Sequence, residues 1–162
     1  MPRIRRKHTG RMEKGTFTAF PHALERSPNW QKCGGTAIKL LHFLAGQYNG
    51  SNNGDFSAAL SQKPAGLNSS STLDRALNEL KHYGLIVMTR QGGLNKCSLF
   101  AVTWHAIDYC GGKLEVAATK TAPATWKEPR TKFKSPPQKK KATPESGGSR
   151  SGFRRSALRK AA

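Results

Sequence analysis

The sequence predicts a small α+β domain flanked by disordered basic tails, and three observations lead to this fold class. Two apolar stripes at helical spacing are followed by two short apolar runs with a Gly/Asn-bearing connection between them, which is the pattern of helices leading into a β-hairpin. Ten of the 13 aromatic residues lie in residues 16–112, whereas most of the positive charge lies outside that range. A length of 162 residues suits one compact domain with extensions.

The net charge of +19 is distributed unevenly along the chain. Residues 1–15 carry a net charge of +5, residues 16–112 carry +3, and residues 113–162 carry +11. Beyond residue 127, prolines, small polar residues and basic clusters dominate, so this stretch cannot bury enough apolar surface to offset its ordering entropy. We therefore divide the chain into a basic N-terminal arm (1–15), a folded domain (16–127) and a disordered basic C-terminal tail (128–162).

The first strong helix signal spans residues 36–48. Its apolar residues recur at helical spacing, at Ala37, Leu40, Leu41, Leu44 and Tyr48. The Gly/Asn cluster at residues 49–54 ends this helix, because both residue types tolerate the positive φ angles of tight turns.

A shorter and less regular segment comes next. Residues 55–57 predict a strand fragment, and residues 57–62 predict a short helix with Ser57 as its N-cap. Pro64 and Gly66 then break the chain.

The clearest helix follows this break. Its apolar stripe consists of Leu73, Ala76, Leu77, Leu80 and Tyr83. Ser71 precedes Asp74 by three residues, which resembles a capping box with the shorter acid. Gly84 stands where a C′ glycine would stop the helix.

Residues 85–90 and 98–104 are the two strand candidates, and residues 91–96 connect them as a hairpin loop. Since a two-stranded hairpin is not stable alone, it must pack on the helices. At the domain ends, we expect residues 16–21 to form an extended arm that packs Phe17 and Phe20 on the domain, and Trp126 to close the other side.

The order of these elements resembles a winged helix-turn-helix domain. The resemblance is carried by GLNSSSTLDRALNEL at residues 66–80, by Gly-Leu-Ile at residues 84–86 and by the Gly-rich hairpin. Similar modules occur in bacterial transcriptional regulators and at the N-termini of phage and plasmid replication proteins. The resemblance covers residues 36–104, and it departs from the family pattern at Pro64, which requires the helix before the turn to be short or kinked.

The resemblance implies that the second helix of the motif enters the major groove of double-stranded DNA with its N-terminal residues on the base edges. Arg75 and Asn78 are the best base-reading candidates, because arginine can fork onto guanine and asparagine onto adenine. The full set of expected DNA contacts is Asn68, Ser69, Ser70, Ser71, Thr72, Arg75 and Asn78 on the helix and Arg90, Gln91, Asn95 and Lys96 on the hairpin. Expected sequence-blind phosphate contacts in the tails are Arg5, Arg6, Lys7, Lys139, Lys140, Lys141, Arg154 and Arg155.

Two other functions remain open at this point. The chain can be a sequence-nonspecific RNA- or nucleoid-associated binder, or a winged-helix module that docks on a protein partner in a replication or transcription assembly. On the last reading, residues 69–72 only cap the helix and Arg75 only pairs with Glu79 one turn later. The oligomeric state, the target sequence and the choice between transcriptional regulation and replication initiation are open as well.

Several kinds of site are not expected. The three cysteines and five histidines show no metal-ligand spacing, and no acid/base pair or nucleophile triad stands out, so we expect no metal, no cofactor and no enzymatic activity. The odd cysteine count predicts a reducing compartment, and we expect a cytoplasmic, nucleoid-associated protein. Neither a secretory signal nor a membrane span is expected, because no sufficiently long apolar run occurs.

Overall fold

The computed structural model describes residues 16–135 as an α+β domain. The tail residues predicted to contact phosphates lie outside the described residues. They are Arg5, Arg6, Lys7, Lys139, Lys140, Lys141, Arg154 and Arg155. The helices are α1 (His22–Glu25), α2 (Pro28–Lys32), α3 (Gly35–Ala45) and α4 (Ser70–His82), and the strands are β1 (Phe56–Ser57), β2 (Ile86–Arg90) and β3 (Leu99–Val102).

The three strands form one antiparallel sheet in the order β1-β3-β2. The predicted hairpin is confirmed, with Ile86 opposite Val102 and a register shift between Met88 and Arg90. The strand fragment predicted before the hairpin is confirmed as well, because Phe56 pairs with Phe100 and adds β1 to the free edge of β3.

Helices α3 and α4 pack on this sheet and enclose the hydrophobic core. The apolar stripes predicted from spacing are the buried faces, which consist of Ala37, Leu40, Leu41 and Leu44 on α3 and Leu73, Ala76 and Leu80 on α4. Phe56, Leu85 and Val102 complete the core from the strands and the turn before them. No helix within residues 16–135 has the length and apolarity needed to cross a membrane.

The ends of α4 follow one of the two predicted signals. Gly84 has a φ of +67° directly after the helix, as the C′ position requires. The predicted capping box is wrong: the N-cap is Ser69, whose side chain makes no cap bond, because its hydroxyl contacts the Ser71 hydroxyl at 2.9 Å.

The short helix predicted at residues 57–62 is also wrong over its first half. Ser57 belongs to β1, where the side-chain amide of Gln47 accepts from its N–H (3.0 Å) and donates to its carbonyl (2.9 Å). Only Leu60–Gln62 forms a 3₁₀ turn, and a second turn follows at Pro64–Gly66. The predicted interruption is confirmed, because the backbone between these turns is left-handed at Lys63, with a φ of +46°.

The N-terminal segment packs through one of its two predicted aromatic residues. The Phe20 ring lies against His42, Trp104 and Trp30, with centroid distances of 4.4, 5.4 and 5.7 Å. The prediction for Phe17 is wrong, since 78% of its surface is exposed.

The packed chain extends beyond the boundary predicted at residue 127. The side chain of Asn29, which is fully buried, donates toward the carbonyls of Trp126 and Glu128 and accepts from the N–H of Arg130. Phe133 still packs against the core, and its N–H donates to the Tyr83 hydroxyl at 3.0 Å. Residues 128–133 therefore belong with the domain, because polar groups of the helices hold their backbone.

Candidate nucleic-acid interface

Helix α4 has one buried face and one exposed face, and the predicted base-reading residues lie on the exposed one. Leu73, Ala76 and Leu80 point into the core. Ser71, Arg75 and Asn78 lie on the other side of the helix, because successive residues advance by about 100° around an α-helix. The predicted residues before and at the helix start, Asn68, Ser69, Ser70, Ser71 and Thr72, are all exposed, whereas Asn78 is half-buried.

The predicted alternative pairing between Arg75 and Glu79 is absent from the part of the chain that the structure describes. Glu79 turns toward α3, and its Oε1 accepts a hydrogen bond from the Gly34 N–H at 2.8 Å. No carboxylate among residues 16–135 forms a salt bridge with the Arg75 guanidinium. The guanidinium is therefore exposed and available for an anionic partner.

The carboxylate of Glu79 also affects a neighbouring thiol. Burial, together with the negative charge of Glu79, raises the pKa of Cys33 to about 12. This effect is consistent with a carboxylate that lies near the junction of α2, α3 and α4.

An open groove of about 240 Å³ separates the N-terminus of α3 from the side of α4 that carries Arg75. Its walls include Gly34, Gly35 and Thr36 on the α3 side and Thr72 and Arg75 on the α4 side. Arg75 thus stands at the edge of a polar concave surface that is lined by small residues and by Glu79.

The hairpin arm (residues 91–98) extends the β2–β3 ladder away from the sheet. Gly93 and Lys96 close its tip by donating to each other's carbonyl at 3.0 and 3.1 Å, and Asn95 takes a φ of +59° in the turn between them. Gln91, Asn95 and Lys96 are exposed, as the DNA-binding prediction requires. The backbone N–H of Gln91 donates to Glu115 at 2.9 Å, which fixes the base of the arm.

Arg90, which is predicted to contact DNA, also forms a hydrogen bond within the hairpin. Its guanidinium donates to the carbonyl of Cys97 across the hairpin at 3.1 Å, and its Nε is buried. The register shift after Met88 accompanies this inward placement of Arg90. Arg90 therefore braces the hairpin arm, and its side chain is half-buried.

The hairpin arm lies beside α4. Asp74 and Leu77 of α4 and Cys97 and Ser98 of the arm line one open groove of about 260 Å³. The exposed face of α4 is therefore bordered on one flank by the hairpin and on the other by the start of α3. Because α4 and the hairpin arm lie side by side, one elongated ligand can contact both.

The charge of the described residues favours an anionic ligand. Residues 16–135 contain fourteen Lys and Arg against seven Asp and Glu. Two of the acids near α4 are placed differently: Glu79 is hydrogen-bonded to Gly34, whereas Asp74 is exposed at the hairpin side of the helix. Both acids of this helix therefore weaken its attraction for a polyanion, Asp74 on the hairpin side and Glu79 in the groove beside Arg75.

Sequence reasoning missed one prominent residue of the hairpin arm. Leu94, at the tip, has 92% of its surface exposed. Leu94 is not among the predicted contacts, because those are polar or charged residues. An apolar residue in the turn of a Gly-rich hairpin is nevertheless a signal that the sequence contains.

Metal ligands do not come together in the described part of the chain. Among residues 16–135, no group of three or more His, Cys, Asp or Glu side chains is placed to hold a metal ion. The cysteines at positions 33, 97 and 110 are all free thiols.

Comparison with protein-family models, with curated proteins and with solved structures gives no match to this chain. The function must therefore be argued from the residues of the interface.

Proposed function

We propose that this chain is a non-enzymatic double-stranded DNA-binding protein, with α4 in the major groove and the hairpin arm on the adjoining duplex. The observation that carries the proposal is the exposed, unpaired guanidinium of Arg75 on an α-helix flanked by a hairpin that exposes Lys96. An α-helix and a two-stranded ribbon are both shapes that fit a DNA groove.

The order of the elements supports the interpretation of this fold as a winged helix-turn-helix. The element order from α3 through β1 and α4 to the hairpin resembles that family, and the hairpin occupies the position of the wing. The departure is the helix before the turn, which is reduced to two single 3₁₀ turns on either side of Lys63. On this reading, α3 and the sheet must hold α4 in place without help from a regular preceding helix.

The roles of the residues follow from their chemistry. Arg75 forks onto a guanine and Asn78 reaches an adenine in the major groove, while the hydroxyls of residues 69–72 contact phosphates beside the helix start. Lys96, Asn95 and Gln91 contact the duplex from the hairpin, and the basic tails add salt-dependent affinity without sequence preference. The process served is transcriptional regulation or replication initiation in a bacterium, plasmid or phage.

A selection experiment followed by salt-titrated anisotropy tests this function. Duplexes selected from a random library by the full chain are compared with mixed-sequence duplex DNA, single-stranded DNA and duplex RNA. We expect duplex DNA to bind most tightly, because the major groove of A-form RNA is too narrow for α4.

Arg75→Ala should weaken binding to the selected duplex by about 1–3 kcal/mol and relax its sequence preference. Arg26→Ala is the matched control, since it removes the same charge from an exposed site directly after α1. Equal effects of the two variants would contradict base reading by α4. Stronger binding to RNA than to duplex DNA would favour the RNA-binding alternative instead.

A further inference from the structure

The tip of the hairpin arm carries an apolar side chain that the fold does not use. Leu94 is 92% exposed, and it does not belong to the hydrophobic core or to the residues packed against it. The turn itself is closed by the backbone bonds between Gly93 and Lys96, and Asn95 supplies the residue with positive φ. Position 94 does not have the positive φ that favours Gly, Asn or Asp, and its side chain does not pack on the core, so folding gives no particular reason for a leucine here.

The arm is narrow around this side chain. A Cβ on Gly92 would lie only 2.7 Å from Ser98 Oγ, so the two strands of the arm approach each other more closely than a residue with a side chain allows. A Cβ on Gly93 would meet nothing within 4 Å, so the backbone beside Leu94 is bare toward solvent. The minor groove of B-DNA is about 6 Å wide, which admits one side chain but not a broad loop.

The charges at the tip suit a DNA groove better than an apolar protein surface. Asn95 and Lys96 follow Leu94 directly and are exposed. The arm itself contains no acid: Glu115 is bonded to the N–H of Gln91 at the base of the arm, and Asp74 of α4 lines a groove with Cys97 and Ser98. An apolar side chain next to a lysine and an amide can meet base edges while the lysine meets phosphate.

We propose that Leu94 inserts as a wedge between base pairs from the minor groove of the duplex, next to the major groove that holds α4, and thereby kinks the DNA. This inference rests on the proposed DNA-binding function and adds a specific partner surface, the minor-groove edge of a base step. Apolar wedges of this kind partly unstack the step and bend the duplex by about 20° or more. Pyrimidine–purine steps, above all TA, are the preferred sites because they unstack most easily.

The test uses the full chain and two optical readouts of DNA geometry. The duplex is one selected by the protein, or a mixed-sequence duplex rich in TA steps if selection yields no preference. Dyes at its ends report bending by energy transfer, and 2-aminopurine at a TA step reports unstacking by a rise in fluorescence. Leu94→Ser removes the apolar wedge, and Leu94→Met keeps an apolar side chain of similar size.

We expect the wild-type chain and Leu94→Met to bend the duplex and to raise the 2-aminopurine fluorescence. Leu94→Ser should lose both signals while its affinity falls by less than about tenfold, because the cost of unstacking disappears together with the gain from insertion. Phe17→Ser is the control, since it removes another exposed apolar side chain outside the hairpin and should behave as wild type.

The outcomes separate the wedge from DNA binding itself. Tight binding to a straight duplex, or equal bending by Leu94→Ser and wild type, would overturn the wedge and leave the proposed function intact. Absence of any preference for duplex DNA by the wild-type chain would overturn both. Binding of Leu94→Ser at near wild-type strength to a duplex that stays straight in the complex would support the wedge most directly.

Discussion

Replacing Asn29 with alanine tests how the C-terminal segment is held on the domain. The Asn29 amide nitrogen lies 3.2, 2.9 and 2.6 Å from the carbonyl oxygens of Tyr83, Trp126 and Glu128, and its Oδ1 accepts from the N–H of Arg130 at 2.9 Å. The side chain is fully buried, so water cannot replace these bonds without opening the structure.

The magnitude follows from the number of hydrogen bonds. An amide nitrogen has only two N–H groups, so alanine removes two donated bonds and one accepted bond at Asn29. At about 1 kcal/mol net for each bond, with a larger cost where a buried carbonyl stays unpaired, the free energy of unfolding should fall by about 3 kcal/mol. Asn29→Asp should cost at least as much, because it sets a carboxylate against the carbonyl oxygens that the amide had contacted.

Urea denaturation followed by tryptophan fluorescence measures this change, since Trp126 is 8% exposed and loses its burial when the segment detaches. Limited trypsin digestion gives an independent readout, with faster cleavage at Lys127 and Arg130 in Asn29→Ala than in wild type. Asn68→Ala, at an exposed site, is the control and should change stability by less than about 0.5 kcal/mol. If Asn29→Ala loses less than about 1 kcal/mol of unfolding free energy and is cleaved at the wild-type rate, Asn29 does not hold the C-terminal segment on the domain.

Three further predictions concern the helix end, the hairpin and the exposed face of α4. Gly84→Ala should lower the free energy of unfolding by about 2–4 kcal/mol, because φ is +67° and the new Cβ would lie 2.7 Å from the Thr125 carbonyl oxygen. Urea titration measures this loss, and an unchanged midpoint would contradict it. Maleimide at pH 8 should modify the exposed Cys97 before Cys33, whose pKa is raised to about 12. Saturating duplex DNA should slow the reaction of Cys97, and an unchanged rate would argue against contact between the hairpin and DNA. Asp74→Asn removes a negative charge and should raise affinity for mixed-sequence duplex DNA by about two- to fivefold at low salt, with a smaller gain at higher salt. Weaker binding would mean that this carboxylate makes a favourable contact.

The elements that sequence alone predicts are those whose signals lie within a few residues of one another. The apolar stripe of α4 and the glycine at its end are local, and so is the hairpin around residues 91–98. The segment after residue 127 reads as a polar tail because the group that fixes it, Asn29, is 101 residues away from Arg130. Local spacing predicts Ser57 as a helix N-cap for the same reason, since a local pattern does not reveal its partner Gln47 or the edge of β3.

The candidate site shows the same limit in its chemistry. Helical periodicity predicts the exposure of Arg75, because the buried stripe on the opposite side fixes its direction. Two other side chains depend on contacts that no spacing rule contains. Glu79 accepts from the Gly34 N–H and forms no salt bridge with Arg75, and Arg90 donates to the Cys97 carbonyl across the hairpin. Residue type alone could not separate these two arginines, since each stands next to polar residues in the sequence.

The positions where the chain enters and leaves the domain constrain how the basic tails act. Arg75 lies near the middle of α4, whereas the Thr131 carbonyl oxygen lies 2.9 Å from His82 Nε2, at the C-terminal end of the helix. Arg75 precedes His82 by seven residues, which is about 10 Å along the axis, because an α-helix rises 1.5 Å per residue. The C-terminal stretch thus leaves the domain about two helical turns from the bases that Arg75 would contact. If the chain binds DNA as we propose, the lysines and arginines of this stretch would meet phosphates on flanking duplex. Tail and helix would then contribute to affinity through separate contacts, and sequence preference would come from the helix and the hairpin.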